Sequence, residues 1–241
     1  MNFKKKQVLS QRSEFFQKLG AGSKLLDIGC FGFTQWNFSK KINRGDIVHY
    51  GVDMTEPELI NAPEGFIYSK ASLDFLDLPY QDDYFDGIVL SHVLEHVKNP
   101  IGLMIEAVRV CKPGGHIYIE APSERSLLIP GVPFKYDLFC SFSYFDDPTH
   151  LSRPWSPQSL YRLAVYIQCN PLKVGYITSA IHRALSPFLL TYYLITRNVV
   201  KMETLIWLTI GWASYAIVEK PSHILGRPKF SYFVPKKRLH P

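Results

Sequence analysis

The chain has 241 residues, of which 46% are hydrophobic and 20% charged. That balance excludes a disordered, collagen-like or coiled-coil protein and favours one elaborated domain over two. The net charge of +6 is local: Lys220, Arg227, Lys229, Lys236, Lys237 and Arg238 supply it in a stretch without acids, and the remainder balances at 21 cations against 21 acids. A nucleic-acid-binding face needs a spread of basic residues, so no nucleic-acid partner is expected.

The opening MNFKKKQVLSQRSEFFQK is basic but has no apolar run behind it, which reads as a leading helix rather than a signal peptide or anchor. From Lys24 short apolar runs alternate with helical patterns, the signature of βαβ units feeding a mostly parallel sheet. The expected elements are a strand over Lys24–Ile28 ending in a glycine turn, a helix over Phe33–Lys41, a strand over Asp46–Val52 ending at Asp53, and a weaker strand over Phe66–Ser69. A fourth strand covers Phe85–Leu90, then a helix over Pro100–Cys111 with Leu103, Ala107 and Val110 on its apolar stripe, stopped by the turn Lys112-Pro113-Gly114-Gly115. His116–Glu120 is the fifth strand. Residues 121–157 are loop-like and too long for a plain connection. Ser156-Pro157 opens a helix through Leu160 and Leu163. Leu172–Ile177 and Ala213–Val218 are the last strands, around an apolar, aromatic insertion. The uncharged stretches 184–196 and 205–218 fall short of the ~20 residues that cross a bilayer, and Pro187 interrupts the first. Cys30, Cys111, Cys140 and Cys169 lie far apart without a CxxC pair, so a reducing, cytoplasmic setting is expected.

The strongest chemical signal is LLDIGCFG, residues 25–32, because a glycine turn between a first strand and a helix is where α/β sheets bind nucleotides. Asp27, two residues before Gly29, would repel a pyrophosphate and suits a cofactor carrying positive charge. Asp53 ends the second strand, where a carboxylate can accept both ribose hydroxyls. Together the two acids point to a cationic nucleoside.

At these residues the chain resembles the class I S-adenosylmethionine-dependent methyltransferases, in particular the small-molecule group called type 11. The resemblance rests on LLDIGC, YGVD, SLDFLDLPYQDDYFDGIVLSHVLEHV and RVCKPGGHIYIEAP, in that order, and covers Leu25 to about Pro122 well. It implies a doubly wound, mostly parallel seven-stranded α/β sheet whose last two strands usually form a close hairpin, so the helical insertion expected before the last strand here is an addition to that core. The implied methyltransferase domain spans 1–220, with a core over 24–122, acceptor-side loops over 123–157 and the insertion at about 178–212; a basic tail follows over 221–241. The implied cofactor is S-adenosylmethionine, held by Asp27, Gly29 and the nearby backbone with Cys30 and Gly32 at its methionyl part, Asp53 at the ribose, and Asp74 and Phe75 at the adenine, with Met54 also counted as cofactor-binding and Asp77 a weaker substitute for Asp74. Ser91 and His92 would lie beside the sulfonium. One departure stands out: Phe31 occupies a place where the family commonly has glycine.

Methyl transfer to an oxygen needs a proton acceptor, and histidine is suited to that near neutral pH. His150 in DDPTHLSRP ranks first, with Asp146 or Asp147 orienting it; His92 ranks second, and Arg153 could hold an anionic acceptor. The spacing of His92, Glu95 and His96 is compatible with a metal, but the resemblance does not call for one and none is expected. The expected acceptor is a small molecule, an oxygen on a sugar or related metabolite. With Arg183, Arg197, Lys201 and the tail nearby, the insertion also raises a peripheral membrane contact or a lipid-linked acceptor. Two alternatives stay open: a noncatalytic binding or scaffold protein that keeps the fold, and a dinucleotide-dependent oxidoreductase, disfavoured by Asp27 and the missing GxGxxG.

Overall fold

The computed structural model describes residues 10–74, 77–129 and 142–222. Seven strands form one sheet: β1 (Lys24–Ile28), β2 (Val48–Asp53), β3 (Ile67–Lys70), β4 (Phe85–Ser91), β5 (Cys111–Pro122), β6 (Asn170–Tyr176) and β7 (Ala213–Glu219), in spatial order β3-β2-β1-β4-β5-β7-β6. β1 to β5 pair in parallel, while β7 runs antiparallel to both neighbours. The order reverses between β1 and β4, which puts their carboxyl ends beside a crevice where such sheets take ligands.

Alternation along the strands sends side chains to two cores. Leu26, Ile28, Ile88, Leu90, Ile117 and Ile119 pack on α4 (Pro100–Val110) and α5 (Pro157–Tyr166). Leu25, Val89, Tyr118 and Ile217 pack on Phe15, Phe16 and Leu19 at α1 (Gln11–Lys18), with Phe38 of α2 (Thr34–Lys41) against the same cluster. The apolar stripe expected on α4 is the buried one, and Met104 joins it. A short α3 (Pro57–Ile60) precedes the edge strand β3.

Two local expectations change. The turn expected at Lys112–Gly115 is part of β5, because Gly114 N donates to Lys220 O at 2.6 Å and Lys220 N donates to Gly115 O at 2.9 Å, drawing both glycines into the sheet. Lys220, counted above with the tail, is thus structural: its ammonium donates to Asp83 Oδ1 at 2.6 Å and to the carbonyls of Val108 and Cys111 at 2.8 Å. Nor does Pro187 break its helix. The insertion is a helical hairpin of α6 (Ala180–Ile195) and α7 (Val199–Ile210), and α6 runs through Pro187. The carbonyl of Arg183, which a residue other than proline would have engaged, accepts the Ser186 hydroxyl at 2.9 Å. Among the described residues no helix is long and apolar enough to cross a membrane.

Candidate active site

The glycine turn after β1 is shaped by backbone requirements. Gly29 has φ +74°, and a Cβ there would meet Val93 Cγ2 at 2.5 Å, so only glycine lets the chain turn this close to the loop after β4. Gly29 N donates to Val52 O at 2.8 Å, tying the turn to β2. Gly32 also has positive φ, with open space where a side chain would stand. Cys30 is buried, its thiol pushed up to about 12 by that burial. Phe31 is 68% exposed, so its ring is not lodged in the core.

Asp27 lies at the floor of this turn, 3% exposed. Burial raises its carboxyl well above the ordinary range; Arg12 nearby works against that shift, Asp53 adds to it, and the Gln35 backbone N–H donates to the carboxylate. The side-chain carbonyl of Gln35 is itself buried without a hydrogen-bond partner among the described residues. A buried carboxylate and a buried carbonyl without a partner, both at this turn, fit a ligand that brings a cationic donor group. This is the property expected of a site for the aminoacyl end and sulfonium of S-adenosylmethionine.

Asp53 ends β2, and its Oδ1 accepts from Thr55 N at 3.0 Å and Thr55 Oγ1 at 2.7 Å, which fixes the side chain in a turn of its own making. Met54 follows, exposed. Asp74 is exposed, and its Oδ1 accepts from Lys98 N at 2.9 Å ahead of α4. Phe75 lies outside the described residues.

At the end of β4 the structure gathers an ionic cluster that the sequence did not disclose. Ser91 and Glu120 are neighbours in the β4–β5 pair. Arg12 from α1 donates to Ser91 Oγ at 3.3 Å and to Glu120 Oε2 at 2.9 Å, and the Tyr118 hydroxyl donates to Glu120 Oε2 at 2.6 Å. His92, in a left-handed conformation at φ 56°, sits between two carboxylates: Nδ1 is 3.1 Å from Glu95 Oε1 and Nε2 is 3.4 Å from Glu120 Oε1. Burial alone would lower its pKa, but the bonds to Glu120 and Glu95 outweigh that and lift it to about 10. Glu120 is held well below the ordinary carboxylate range: burial opposes this, and His92 and Arg12 overcome it. His92 is therefore an imidazolium at neutral pH, a donor rather than a base.

Above His92 stand two indoles, Trp207 from α7 and Trp212, stacked at 4.1 Å and 6° with their centroids 6.0 and 6.1 Å from its ring. The Trp212 indole N–H donates to Phe142 O at 2.9 Å, joining the root of the hairpin to the loop before α5. That loop is also tied to the residues after β4: Leu151 N and Ser152 N donate to Glu95 O at 2.7 and 3.1 Å, and Ser152 Oγ to Leu94 O at 2.7 Å.

His150 is carried on this loop. Its Nδ1 donates to Tyr144 O at 2.7 Å and its ring stacks on Tyr144 at 4.2 Å, which leaves the lone pair of the neutral ring on Nε2. Asp147 Oδ2 is 3.8 Å from that nitrogen, while Asp147 Oδ1 accepts from Thr149. Glu95, His96 and His150 offer atoms within 4.8 Å of one another, and Glu95 Oε2 is buried without a hydrogen-bond partner among the described residues. His92, Glu95 and His150 therefore form one connected group. Arg153 is placed differently: its guanidinium lies over Trp155 at 5.2 Å and lines a groove of about 400 Å³ with Ile101 and Arg162, between α4 and α5.

Arg12, Glu120, Gln35, Trp207 and Trp212 were not foreseen. Glu120 had a signal, an acid ending the apolar run Ile117–Ile119; the others are joined to the site only by the fold.

The strand order with a reversed β7, the glycine turn and the two acids at adjacent strand ends define the class I methyltransferase architecture. Residues 26–119, under half of the chain, match the family described as a methyltransferase domain, and this segment has the fold of the class I S-adenosylmethionine-dependent methyltransferases. It is similar to ajmaline N-methyltransferase of Rauvolfia serpentina, 34% identical over 43% of this chain and 40% of that one. It is also similar to the ubiquinone biosynthesis O-methyltransferase of Pseudomonas fluorescens, 28% identical over 65% of this chain and 72% of that one. The chain spans less than half the length of the first curated relatives it matches. Among solved structures, a SAM-dependent methyltransferase from Archaeoglobus fulgidus superposes with a TM-score of 0.57 over 86% of this chain and 90% of that one, at 23% identity, which shows the shared fold.

Proposed function

We propose that this protein transfers the methyl group of S-adenosylmethionine to an oxygen of a small molecule, a sugar or related metabolite. The observation that carries the reading is the buried carboxylate of Asp27, with the unpartnered Gln35 Oε1, at the glycine turn of a methyltransferase domain. S-adenosylmethionine, when bound, supplies an activated methyl group on a sulfonium. Asp27 and the Gln35 carbonyl receive its cationic end, Asp53 the ribose hydroxyls, and Asp74 with Phe75 the adenine; Gly29, Cys30, Gly32 and Met54 supply the surrounding backbone.

Displacement at a sulfonium disperses charge, so the protein acts mainly by alignment and exclusion of water, effects worth about 7–11 kcal/mol together when geometry is good. Ser91 and His92 border the reacting end, with His92 held charged by Glu95 and Glu120. The Trp207–Trp212 stack closes that side against solvent. His150 is the proton acceptor: its Nδ1 is committed to Tyr144 O, its Nε2 lies 3.8 Å from Asp147 Oδ2, and its ring is grouped with Glu95 and His96. Arg153 holds an anionic part of the acceptor outside this cluster. The oxygen specificity rests on that imidazole nitrogen. The same reading includes a membrane-borne or lipid-linked acceptor, because the hairpin that covers the centre is strongly apolar.

The test is a methyl-transfer assay with labelled S-adenosylmethionine over hydroxylated acceptors, free sugars and lipid-linked saccharides included. His150→Gln should lower kcat by about 10²- to 10⁴-fold with cofactor affinity unchanged. Transfer by the variant at the wild-type rate would remove His150 from the mechanism, and cofactor binding without transfer to any acceptor would favour a noncatalytic binding protein.

A further inference from the structure

Helix α6 spans 16 residues and buries none of them, although its sequence AIHRALSPFLLTYYLI is among the most apolar in the chain. Ile181, Leu185, Phe188, Tyr192 and Ile195 recur at intervals of four, three, four and three residues, which places all five on one face. They are between 46% and 77% exposed. Soluble helices turn such a stripe toward a core; this one faces outward, held by α7 on its other side, where Ser179 N donates to Leu208 O and Arg183 Nε to Thr209 O. A second apolar surface lies between the two helices, a groove of about 280 Å³ lined by Pro187, Leu190, Leu205, Ile206 and Ile210.

Charge and chemistry select the occupant. No acid occurs on α6, and from Ala180 to Ile210 Arg183, Arg197 and Lys201 face a single acid, Glu203. The stripe offers one polar atom, the Tyr192 hydroxyl, so it lacks the hydrogen-bonding pattern that gives a protein partner its register. A bilayer asks for no such pattern; it accepts an apolar face with an aromatic hydroxyl at headgroup level and favours net positive charge where its lipids are anionic. At about 1.5 Å per residue α6 is too short to span, so it would lie in the plane of the interface.

We infer that the α6 stripe docks this protein on an anionic bilayer surface, with the Trp207–Trp212 end of the hairpin leading from that surface to the reaction centre. Docking itself is independent of the methyl-transfer reading; delivery of a membrane-borne acceptor rests on it. The docked hairpin lets the open groove between α6 and α7 receive a hydrocarbon chain while the attached polar group reaches His92 and His150.

Flotation of the full chain with vesicles tests this, using three parts phosphatidylcholine to one part phosphatidylglycerol, and phosphatidylcholine alone. The triple variant Ile181→Gln, Phe188→Gln, Ile195→Gln is compared, with S-adenosylhomocysteine binding as the check on its fold. The wild type should partition onto the anionic vesicles at least tenfold more strongly than the variant and more strongly than onto the neutral ones, while both proteins bind S-adenosylhomocysteine alike. Wild-type protein that does not float, a variant that floats equally, or a wild-type dimer that the triple change dissolves would overturn the proposal, the last by making the stripe a contact between copies. Failure of both proteins to bind S-adenosylhomocysteine would count against the methyl-transfer reading and leave the flotation result standing.

Discussion

The region around β1 and β2 and the region beyond β4 are built by different means. Around β1 and β2 the site is made from backbone: a turn that admits no side chain at Gly29, strands in register, and acids on the last residues of those strands. Beyond β4 it is made from side chains brought together over long separations, Arg12 to Glu120, Trp212 to Phe142, His96 to Thr149. On the proposed reading the first region receives a constant ligand, and the second is assembled from the loop before α5 and the hairpin before β7, segments that can change without disturbing the sheet. If that reading holds, donor chemistry rests on the fold's geometry and acceptor choice on what is laid over it.

The contrast can be broken most sharply at Asp27. Asp27→Asn keeps the shape of the recess but removes the carboxylate, and calorimetric affinity for S-adenosylmethionine should fall by about 100-fold or more, in line with the 2–5 kcal/mol that loss of one partner of a buried charge pair costs. Gly29→Ala probes the backbone itself. A Cβ at φ +74° against Val93 should cost about 1–3 kcal/mol, read as a melting temperature lower by about 2–12 °C, and Val93→Ala should restore part of it.

A smaller effect separates the ionic cluster from both. His92 has a folded pKa of about 10, above its ordinary 6.5, so its contribution to stability is complete below 6.5 and is lost as pH rises through about 10. The decline in melting temperature between those values should flatten in His92→Gln, as followed by circular dichroism; an unchanged slope would mean that the cluster does not hold the proton. The smallest change is expected at Phe31. Its exposed ring predicts that Phe31→Ala alters cofactor affinity by no more than about threefold, and a large change in either direction would give that ring a part in the site.

The same division governs what could be read before folding. The seven strands, the α4 stripe and the position of Asp27 follow from local periodicity, turn residues and the family resemblance, because each depends on neighbours in sequence. Pro187 misled because a single serine hydroxyl compensates the carbonyl it leaves open, and Lys112–Gly115 misled because residue 220, more than a hundred positions away, draws the glycines into the sheet. His92 shows the limit most clearly. Its position at the end of β4 was legible, but its protonation is not, since that depends on Glu120 from the next strand as much as on Glu95 one turn away. Arg153 belongs to a motif shared with His150 in sequence, yet the fold turns it over Trp155.

The central claim is that the buried carboxylate of Asp27 receives a cationic sulfonium nucleoside. Titration calorimetry of S-adenosylmethionine into the full chain from about pH 5 to about pH 8, in buffers of different ionisation heat, tests it most directly. Because burial raises Asp27 in the empty site and a bound cation favours its charged form, affinity should climb with pH until the raised pKa is passed, with proton release on binding below that point. Absence of binding, or an affinity that does not change with pH and is matched by NADH, would contradict it.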